Sequence, residues 1–366
     1  MKIIFTVTND LNSDQRMIRT CTVMQNEGHE VMLVGRSRKD SSPIENKNFA
    51  QKRLYCYFQK GKFFYVEYNI RLFLFLLFEK CDALCSIDLD TALPGWMLKR
   101  IKKWRWIIDS HEWFPYVPEV SRRPIIQRFW LWVEARVIPA ADAVYTVGSA
   151  IATELENRYD RKVLVIRNAP FLDSNSTENA EIPNFKLPSK DFILYQGAVN
   201  EGRGLERLLD IIHDTNFHLV IAGDGDVLEE LKQRVRQQNI SERVHFLGFV
   251  LPQFLPFLTQ KARVGYNVSE AVSRSYELSL NNKFFDYTHS LLPSVINDFI
   301  EYRNLCSEFP VGILVPHENA KIKEALELLM TDDRAHEQYQ ENCKKAREVW
   351  NWQIESRILH EIFRND

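Results

Sequence analysis

The chain has few cysteines, no excess of charge of either sign and no long hydrophobic run. Its 366 residues include 6 scattered cysteines, and no second pair or His cluster completes a zinc site around Cys81 and Cys85. Lys plus Arg is 47 and Asp plus Glu is 49, a balance that argues against nucleic acid as a partner. The most apolar stretch, 70–78, is too short to span a bilayer, and residues 1–10 resemble a strand more than a secretory signal. We therefore expect a cytoplasmic protein with reduced thiols.

Strands alternate with helices along two successive parts of the chain. In each part the strands are nearly continuous apolar runs, as in a parallel sheet that helices cover on both faces. A segment rich in Ser, Asn, Glu and Pro separates the two parts. We predict an α/β fold with two Rossmann-like parallel-sheet domains that face each other across a cleft. The predicted divisions are an N-terminal domain (1–172), a linker (173–190), a C-terminal domain (191–350) and a C-terminal helix (351–366).

The start of the second part, 192–209, has the pattern of a phosphate site. An apolar run ends at Gly197, a polar turn contains Gly202, Arg203 and Gly204, and leucines then recur at helical spacing. A helix N-terminus after a glycine turn presents backbone N–H groups to an anion, and Arg203 adds a fixed positive charge. An ordinary strand–turn–helix connection with a surface arginine is the alternative interpretation.

Two later motifs in the second part extend this site. Gly223 follows an apolar strand and allows a tight turn at the carboxyl edge of the sheet, where it is expected to contact the ligand of this phosphate site. The alternative is a purely structural turn between a strand and a helix. Asn282, Lys283 and Asp286 lie on one face of a predicted helix. Lys283 is expected to meet a phosphate and Asp286 the hydroxyls of a ribose, whereas a surface Lys–Asp pair is the alternative.

In the first part, Asp109 and His111 follow a buried strand at the edge where ligands bind in such sheets. We expect them to contact a substrate, although a lone His is often structural. Asp88 and Asp90 form a D-x-D motif, which holds a metal in one class of sugar transferases. We favour the alternative, in which Asp88 ends a strand and Asp90 caps the following helix, and we predict no metal site.

The region 99–132 mixes basic and aromatic residues, among them several arginines and tryptophans. This mixture suits an anionic membrane surface or a lipid-linked acceptor, and it also occurs on a solvated helix face with half-buried tryptophans. Peripheral contact with the inner membrane surface is therefore one expectation for this region.

Taken in order, these motifs resemble the family-4-type bacterial glycosyltransferases of the two-domain GT-B fold. The resemblance rests on stretches such as IIDSHEWF, YQGAVNEGRGLERLL, IAGDGD, SLNNKFFDY and WNWQIESRIL. It implies that a UDP- or GDP-linked sugar is bound mainly by the C-terminal domain and that the last helix packs on the first domain. It also implies that the sugar is transferred with retention of its anomeric configuration and without a metal or cofactor. It places the lysine of the family's phosphate-binding turn on Arg203, the second ribose-binding acid on Asp286 and the active-site histidine on His111.

The chain also departs from the family pattern. Ala198 stands where an arginine is usual, and Leu278 replaces the first acid of the E-x7-E motif, for which Glu277 or Glu270 would have to substitute. The expected function is transfer of a sugar from a nucleotide-sugar to a saccharide or lipid-linked acceptor in surface polysaccharide biosynthesis. A nucleotide-sugar epimerase and a non-catalytic nucleotide-binding relative are the alternatives.

Overall fold

The computed structural model describes residues 1–12, 14–39, 41–172 and 185–364. They form two compact units. Unit 1 contains Met1–Arg167 together with the C-terminal residues from Ser356 onward, and unit 2 contains Asn168–Glu355. Most of the predicted linker, 173–184, lies outside the described residues.

Unit 1 is built on a seven-stranded parallel sheet with the strand order β3-β2-β1-β4-β5-β6-β7. The strands are β1 (Lys2–Thr6), β2 (Glu30–Ser37), β3 (Ala50–Tyr55), β4 (Ala83–Ile87), β5 (Arg105–Ser110), β6 (Ala143–Thr146) and β7 (Leu164–Val165). The helices are α1 (Gln15–Asn26), α2 (Gly61–Phe78), α3 (Leu89–Leu98), α4 (Pro118–Ser121), α5 (Pro124–Ala140), α6 (Ser149–Tyr159) and, at the C-terminus, α16 (Arg357–Phe363).

Helices α2, α3, α5 and α6 pack side by side as one layer of unit 1. The last helix, α16, also belongs to this unit and contacts β1, where the rings of Phe363 and Phe5 lie 5.7 Å apart. A hydrogen bond from Arg105 to the carbonyl of Arg364 holds the end of the same helix. The C-terminal helix therefore packs on the first domain, as the resemblance implied.

Unit 2 is built on a six-stranded parallel sheet with the strand order β10-β9-β8-β11-β12-β13. The strands are β8 (Phe192–Gln196), β9 (His218–Ala222), β10 (Val244–Gly248), β11 (Val264–Asn267), β12 (Ser294–Asn297) and β13 (Gly312–Val315). The helices are α7 (Leu205–His213), α8 (Leu228–Gln237), α9 (Leu255–Lys261), α10 (Arg274–Glu277), α11 (Asn282–His289), α12 (Ile300–Glu308), α13 (Asn319–Thr331), α14 (Asp333–Val349) and α15 (Trp352–Glu355).

The predicted α/β class with two parallel sheets is confirmed, and three details differ from the sequence patterns. Strand β3 has no apolar pattern because it is an edge strand whose side chains alternate between half-buried and exposed. Helices α4, α10 and α12 also went unpredicted. The C-terminal segment expected to form one helix forms two, α15 and α16, and the boundary between the units falls at Ser356 between them.

Candidate active site

The glycine turn of unit 2 has the backbone geometry that its sequence predicted. Gly197, Gly202 and Gly204 all have positive φ values, which residues with a side chain rarely adopt. Gly204 is the N-cap residue of α7, and a Cβ atom there would lie 2.3 Å from the carbonyl oxygen of Val268. The turn therefore needs glycine both for its conformation and for its close approach to the β11 end.

Arg203 lies in this turn with its guanidinium only partly satisfied. Its Nη1 donates to Oδ1 of Asn281 at 3.3 Å, and its Cζ lies 4.9 Å from the ring centroid of Tyr276. Its Nε is buried and has no hydrogen-bond partner among the described residues. A buried guanidinium nitrogen without a partner is costly, and an anionic ligand would satisfy it.

Lys283, on the first turn of α11, is buried next to the same turn. Its Nζ lies 3.9 Å from the ring centroid of Tyr195, and a Cβ atom at Gly197 would lie 4.0 Å from that nitrogen. Burial and the positive charge of Arg203 lower the pKa of Lys283 well below its ordinary value, and Asp286 opposes them. The surface Lys–Asp pair considered from the sequence is thus wrong, because the lysine is buried.

Asp286 lies one turn further along α11 and accepts a hydrogen bond of 3.1 Å from Nε2 of Gln196, the last residue of β8. Asn282 faces a different neighbour and accepts from Nδ2 of Asn168 at 2.7 Å. The structure therefore brings together the end of β8, the glycine turn and the start of α11. The site they form contains two basic side chains and one carboxylate.

Other candidate residues have roles within the fold of unit 2. A Cβ atom at Gly223 would lie 1.8 Å from the carbonyl oxygen of Gly197, so this glycine is required for the packing of two neighbouring turns. Glu270 is held by Arg207 through hydrogen bonds of 2.9 and 3.2 Å. Glu277 forms an ion pair of 2.9 Å with Arg274 on the surface. Both glutamates are therefore already paired with an arginine.

In unit 1, Asp109 and His111 are joined at the carboxyl end of β5. Nε2 of His111 lies 2.8 Å from Oδ2 of Asp109, and Asp109 is fully buried. Its carboxylate also accepts from Arg16 on α1, whose Nη2 lies 3.2 Å from Oδ1. The guanidinium of Arg16, itself buried, donates as well to the carbonyl of Ile166. Asp109 is therefore a buried carboxylate between an arginine and the ring of His111.

The D-x-D motif lies beside this cluster. Asp88 occupies the N-cap position of α3 with φ 56°, makes no side-chain cap bond, and accepts from the backbone N–H of His111 at 2.8 Å. Asp90 lies in the first turn of α3, is buried, and accepts from the hydroxyl of Thr8 at 2.7 Å. The prediction that Asp90 caps α3 is thus wrong. Among the described residues, no group of three or more His, Cys, Asp or Glu side chains is placed to hold a metal ion.

The four groups of this cluster influence one another's charge. Burial raises the pKa of Asp88 to about 7 and of Asp90 to about 6. Burial also acts to raise the pKa of Asp109, but Arg16 and then His111 outweigh it and keep that pKa below its usual value. Burial alone would lower the pKa of His111, yet Asp109 and Asp88 raise it to about 9. The imidazole is therefore positively charged at neutral pH.

The raised pKa of His111 predicts a dependence of stability on pH. The folded state binds this proton more tightly than the unfolded chain, in which the pKa of histidine is near 6.5. The stabilisation from the proton is therefore complete below pH 6.5 and disappears as the pH rises through about 9. We expect the free energy of unfolding to fall by about 2 kcal/mol more in the wild type than in His111→Gln between pH 7 and 9.5. Urea-induced unfolding across this range measures the difference, and parallel curves for the two proteins would contradict the charge assigned to His111.

The basic and aromatic region 99–132 is only partly exposed. Trp104, Trp106, Trp113 and Trp130 are buried in unit 1, whereas Phe129 and Trp132 are exposed and their rings stack 6.2 Å apart. The four buried tryptophans belong to the core. Any surface contact made by this region must therefore use its exposed residues.

Several residues near these sites were not predicted to belong to them. Arg16 is the most important, since it fixes the buried carboxylate of Asp109 although the two lie 93 residues apart in sequence. Its position in an amphipathic helix gave no signal, because arginine is usually found on the exposed face of such a helix. Tyr195, Tyr276 and Asn281 were likewise unassigned and contact the two basic residues of unit 2.

Two protein-family models match the chain in succession. The model described as Glycosyltransferase Family 4 matches residues 15–169, and the model described as Glycosyl transferases group 1 matches residues 190–332. Among curated proteins, the alpha-D-kanosaminyltransferase of Streptomyces kanamyceticus is 22% identical over 229 residues. That match covers 58% of this chain and 57% of the relative, so the chain spans little more than half of the length of that protein.

Solved structures match over nearly the whole chain. The sucrose-phosphate synthase of Thermosynechococcus elongatus has a TM-score of 0.80 at 14% identity, and the match covers 100% of this chain and 98% of that one. The Anabaena protein HepE, solved in complex with UDP and glucose, has a TM-score of 0.77 at 14% identity, with 99% and 98% covered. At such identities these matches establish the fold, two parallel-sheet α/β units of the GT-B type.

Proposed function

Because the chain belongs to the family-4-type glycosyltransferases of the GT-B fold, we propose that it transfers a sugar from a UDP- or GDP-linked donor with retention of anomeric configuration. The proposed acceptor is a saccharide or lipid-linked saccharide in surface polysaccharide biosynthesis. The observation that supports a nucleotide donor most directly is the pair of basic side chains at the glycine turn. Lys283 is buried beside Gly197, and Arg203 lies close enough for its charge to lower the pKa of that lysine.

The residues of unit 2 have proposed roles in binding the donor. The glycine turn and the start of α7 bind the diphosphate, and Arg203 and Lys283 supply its positive charge. Asp286 accepts hydrogen bonds from the ribose hydroxyls. The structure of the Anabaena relative with UDP and glucose supports a nucleotide-sugar as the donor class.

Catalysis in this proposal is electrostatic. As the bond between the sugar and the diphosphate breaks, negative charge grows on the leaving phosphate, and the basic residues of unit 2 stabilise it. An approaching phosphate also favours protonation of Lys283, whose pKa is kept low by burial and by the charge of Arg203. The family resemblance implies that no bound metal or cofactor is needed and that no enzyme nucleophile is used.

In unit 1, His111 is the proposed contact to the donor sugar or to the acceptor hydroxyl. Its ring is one-fifth exposed, and Asp109 holds its orientation through a hydrogen bond of 2.8 Å. The positive charge on this ring favours hydrogen-bond donation to a sugar oxygen over proton abstraction. We place the protein in the cytoplasm, with peripheral contact to the inner membrane surface through the exposed residues of 99–132.

Two other functions remain as alternatives. A nucleotide-sugar epimerase would use the same donor site without an acceptor. The alternative of a non-catalytic nucleotide-binding relative is favoured by Ala198 and Leu278, which replace residues that the family uses at its donor site.

Nucleoside diphosphate release separates the three functions. The full chain is incubated with a panel of UDP- and GDP-sugars, with and without saccharide and lipid-linked acceptors, and the products are examined by NMR spectroscopy. We expect diphosphate release that depends on acceptor and a product that keeps the donor's anomeric configuration. A new epimer formed from donor alone would favour the epimerase, and nucleotide binding without any turnover would favour the non-catalytic relative.

A further inference from the structure

Helix α2 of unit 1 is apolar on both of its faces. One face packs into the unit, where Phe64, Tyr68, Leu72 and Leu76 are buried. The opposite face is exposed, although a helix that is apolar all round is normally covered on every side. The residues of this exposed face are 49–83% accessible and recur at intervals of three or four: Phe63, Val66, Ile70, Leu74 and Phe78.

This stripe extends along most of α2, and the neighbouring helices carry further exposed apolar residues. From Phe63 to Phe78 it covers about 22 Å at the usual rise of an α-helix. Because α2 packs against α3 and α3 against α5, the exposed residues of all three helices belong to one layer. The other exposed apolar residues of this layer and its connections are Met97, Ile101, Ile125, Phe129 and Trp132.

Exposed basic residues predominate around this surface, although Asp82 and Glu119 are exposed between its segments. Within the segments 60–80, 96–103 and 122–136, all of which the structure describes, the exposed charged residues are basic. Glu67 and Glu79 are half-buried and paired with Arg71 and Lys2, and Glu134 is buried. The chain as a whole has a net charge of −2, so this concentration is local. The exposed charged residues of the three segments are Lys60, Lys62, Lys80, Arg100, Lys103, Arg122, Arg123, Arg128 and Arg136.

We infer that this surface, which we call the α2 face, binds the surface of a bilayer that contains anionic lipids. An apolar helix face beside lysines and arginines is the arrangement by which an interfacial helix inserts its side chains below the head groups while its basic residues meet phosphates. No helix among the described residues is long and apolar enough to cross a membrane, so α2 lies in the plane of the interface. A second copy of the chain fits this face poorly, because two such faces would bring their positive charges together.

The α2 face extends the earlier expectation for the region 99–132. Four of the tryptophans in that region are buried, and the exposed apolar stripe of α2 lies on a helix that this expectation did not include. Membrane binding by α2 does not depend on the transfer reaction, since none of its residues belongs to the proposed donor or acceptor sites.

Sedimentation with vesicles tests the inference on the full chain. We expect the protein to pellet with vesicles of phosphatidylcholine and 30% phosphatidylglycerol, to bind phosphatidylcholine alone at least tenfold more weakly, and to lose binding as salt is raised. The double variant Phe63→Ser/Phe78→Ser should reduce binding to the mixed vesicles at least tenfold. The matched control is Phe249→Ser in unit 2. Phe249 is 70% exposed in the wild type, and this variant should bind the mixed vesicles as tightly as the wild type does.

A charge-reversal variant tests the role of the basic residues, and nucleotide binding by every variant shows whether the donor site is intact. Lys62→Glu/Arg100→Glu changes only exposed side chains and should weaken binding to the mixed vesicles without lowering the melting temperature. Nucleotide binding by each variant should equal that of the wild type, so a failure of membrane binding is distinguishable from a failure of the donor site. Absence of vesicle binding by the wild type, or binding unchanged in both double variants, overturns the inference. So does concentration-dependent dimerisation in sedimentation velocity that the serine variants abolish.

Discussion

Replacing Arg203 with alanine is expected to lower kcat/KM for the nucleotide-sugar by at least tenfold. The guanidinium lies in the glycine turn beside Asn281 and Tyr276, and its buried Nε has no partner within the described residues. A hydrogen bond to a charged group contributes about 1.5–3 kcal/mol, and each 1.4 kcal/mol corresponds to a factor of ten in rate. Because charge on the leaving diphosphate grows towards the transition state, part of the loss should appear in kcat.

The matched control for this experiment is Arg303→Ala. Arg303 also lies in unit 2 and pairs with an aspartate, Asp298, at 2.9 Å, and both of these side chains are exposed. Its removal should leave kcat/KM within a factor of two of the wild type. Arg203→Lys keeps the charge and should recover part of the activity. Unchanged turnover in Arg203→Ala would remove this residue from the donor site.

The second large effect is expected at Asp109. Its carboxylate is fully buried and compensates the charge of Arg16, which is itself buried. Asp109→Asn preserves the shape of the side chain but leaves the guanidinium without a counter-charge. Removing one partner of a buried ion pair costs about 3–5 kcal/mol, so we expect the unfolding free energy to fall by about that amount. Loss of the same carboxylate should bring the pKa of His111 down towards its ordinary value.

Urea-induced unfolding measures this loss, and hydrogen–deuterium exchange of the β5 amides assigns it to unit 1. The matched control is Asp298→Asn, which breaks an exposed aspartate–arginine pair and should cost less than about 1 kcal/mol. Equal effects in the two variants would contradict the structural importance given to the Arg16–Asp109 pair.

The fold was predictable from the sequence because its signals are local. Apolar strands such as β4 and β8, in which every residue is buried, stand out from the helices around them. The edge strand β3 gave no such signal, since its side chains are polar and partly exposed. Polar edge strands are common because they discourage pairing with other chains, and the same property makes them hard to recognise.

The candidate sites were predictable only in part. Arg203, Lys283 and Asp286 could be proposed because glycine turns and helix starts have sequence patterns. The burial of Lys283 against Tyr195 could not, because it depends on a contact between residues 88 positions apart in a folded core. The same holds for Arg16 and Asp109, whose pairing joins α1 to β5. The predicted cleft between the two domains stays a prediction.

Nucleotide binding by the full chain tests the central claim most directly. The unfolding free energy of the wild type, Arg203→Ala and Arg303→Ala is measured with and without UDP and GDP. We predict that one of the two nucleotides, at a hundred times its Kd, raises the unfolding free energy of the wild type by about 2.7 kcal/mol. The same concentration should stabilise Arg203→Ala much less and Arg303→Ala as much as the wild type. No stabilisation of the wild type by either nucleotide would contradict the donor site, and with it the proposed transfer reaction.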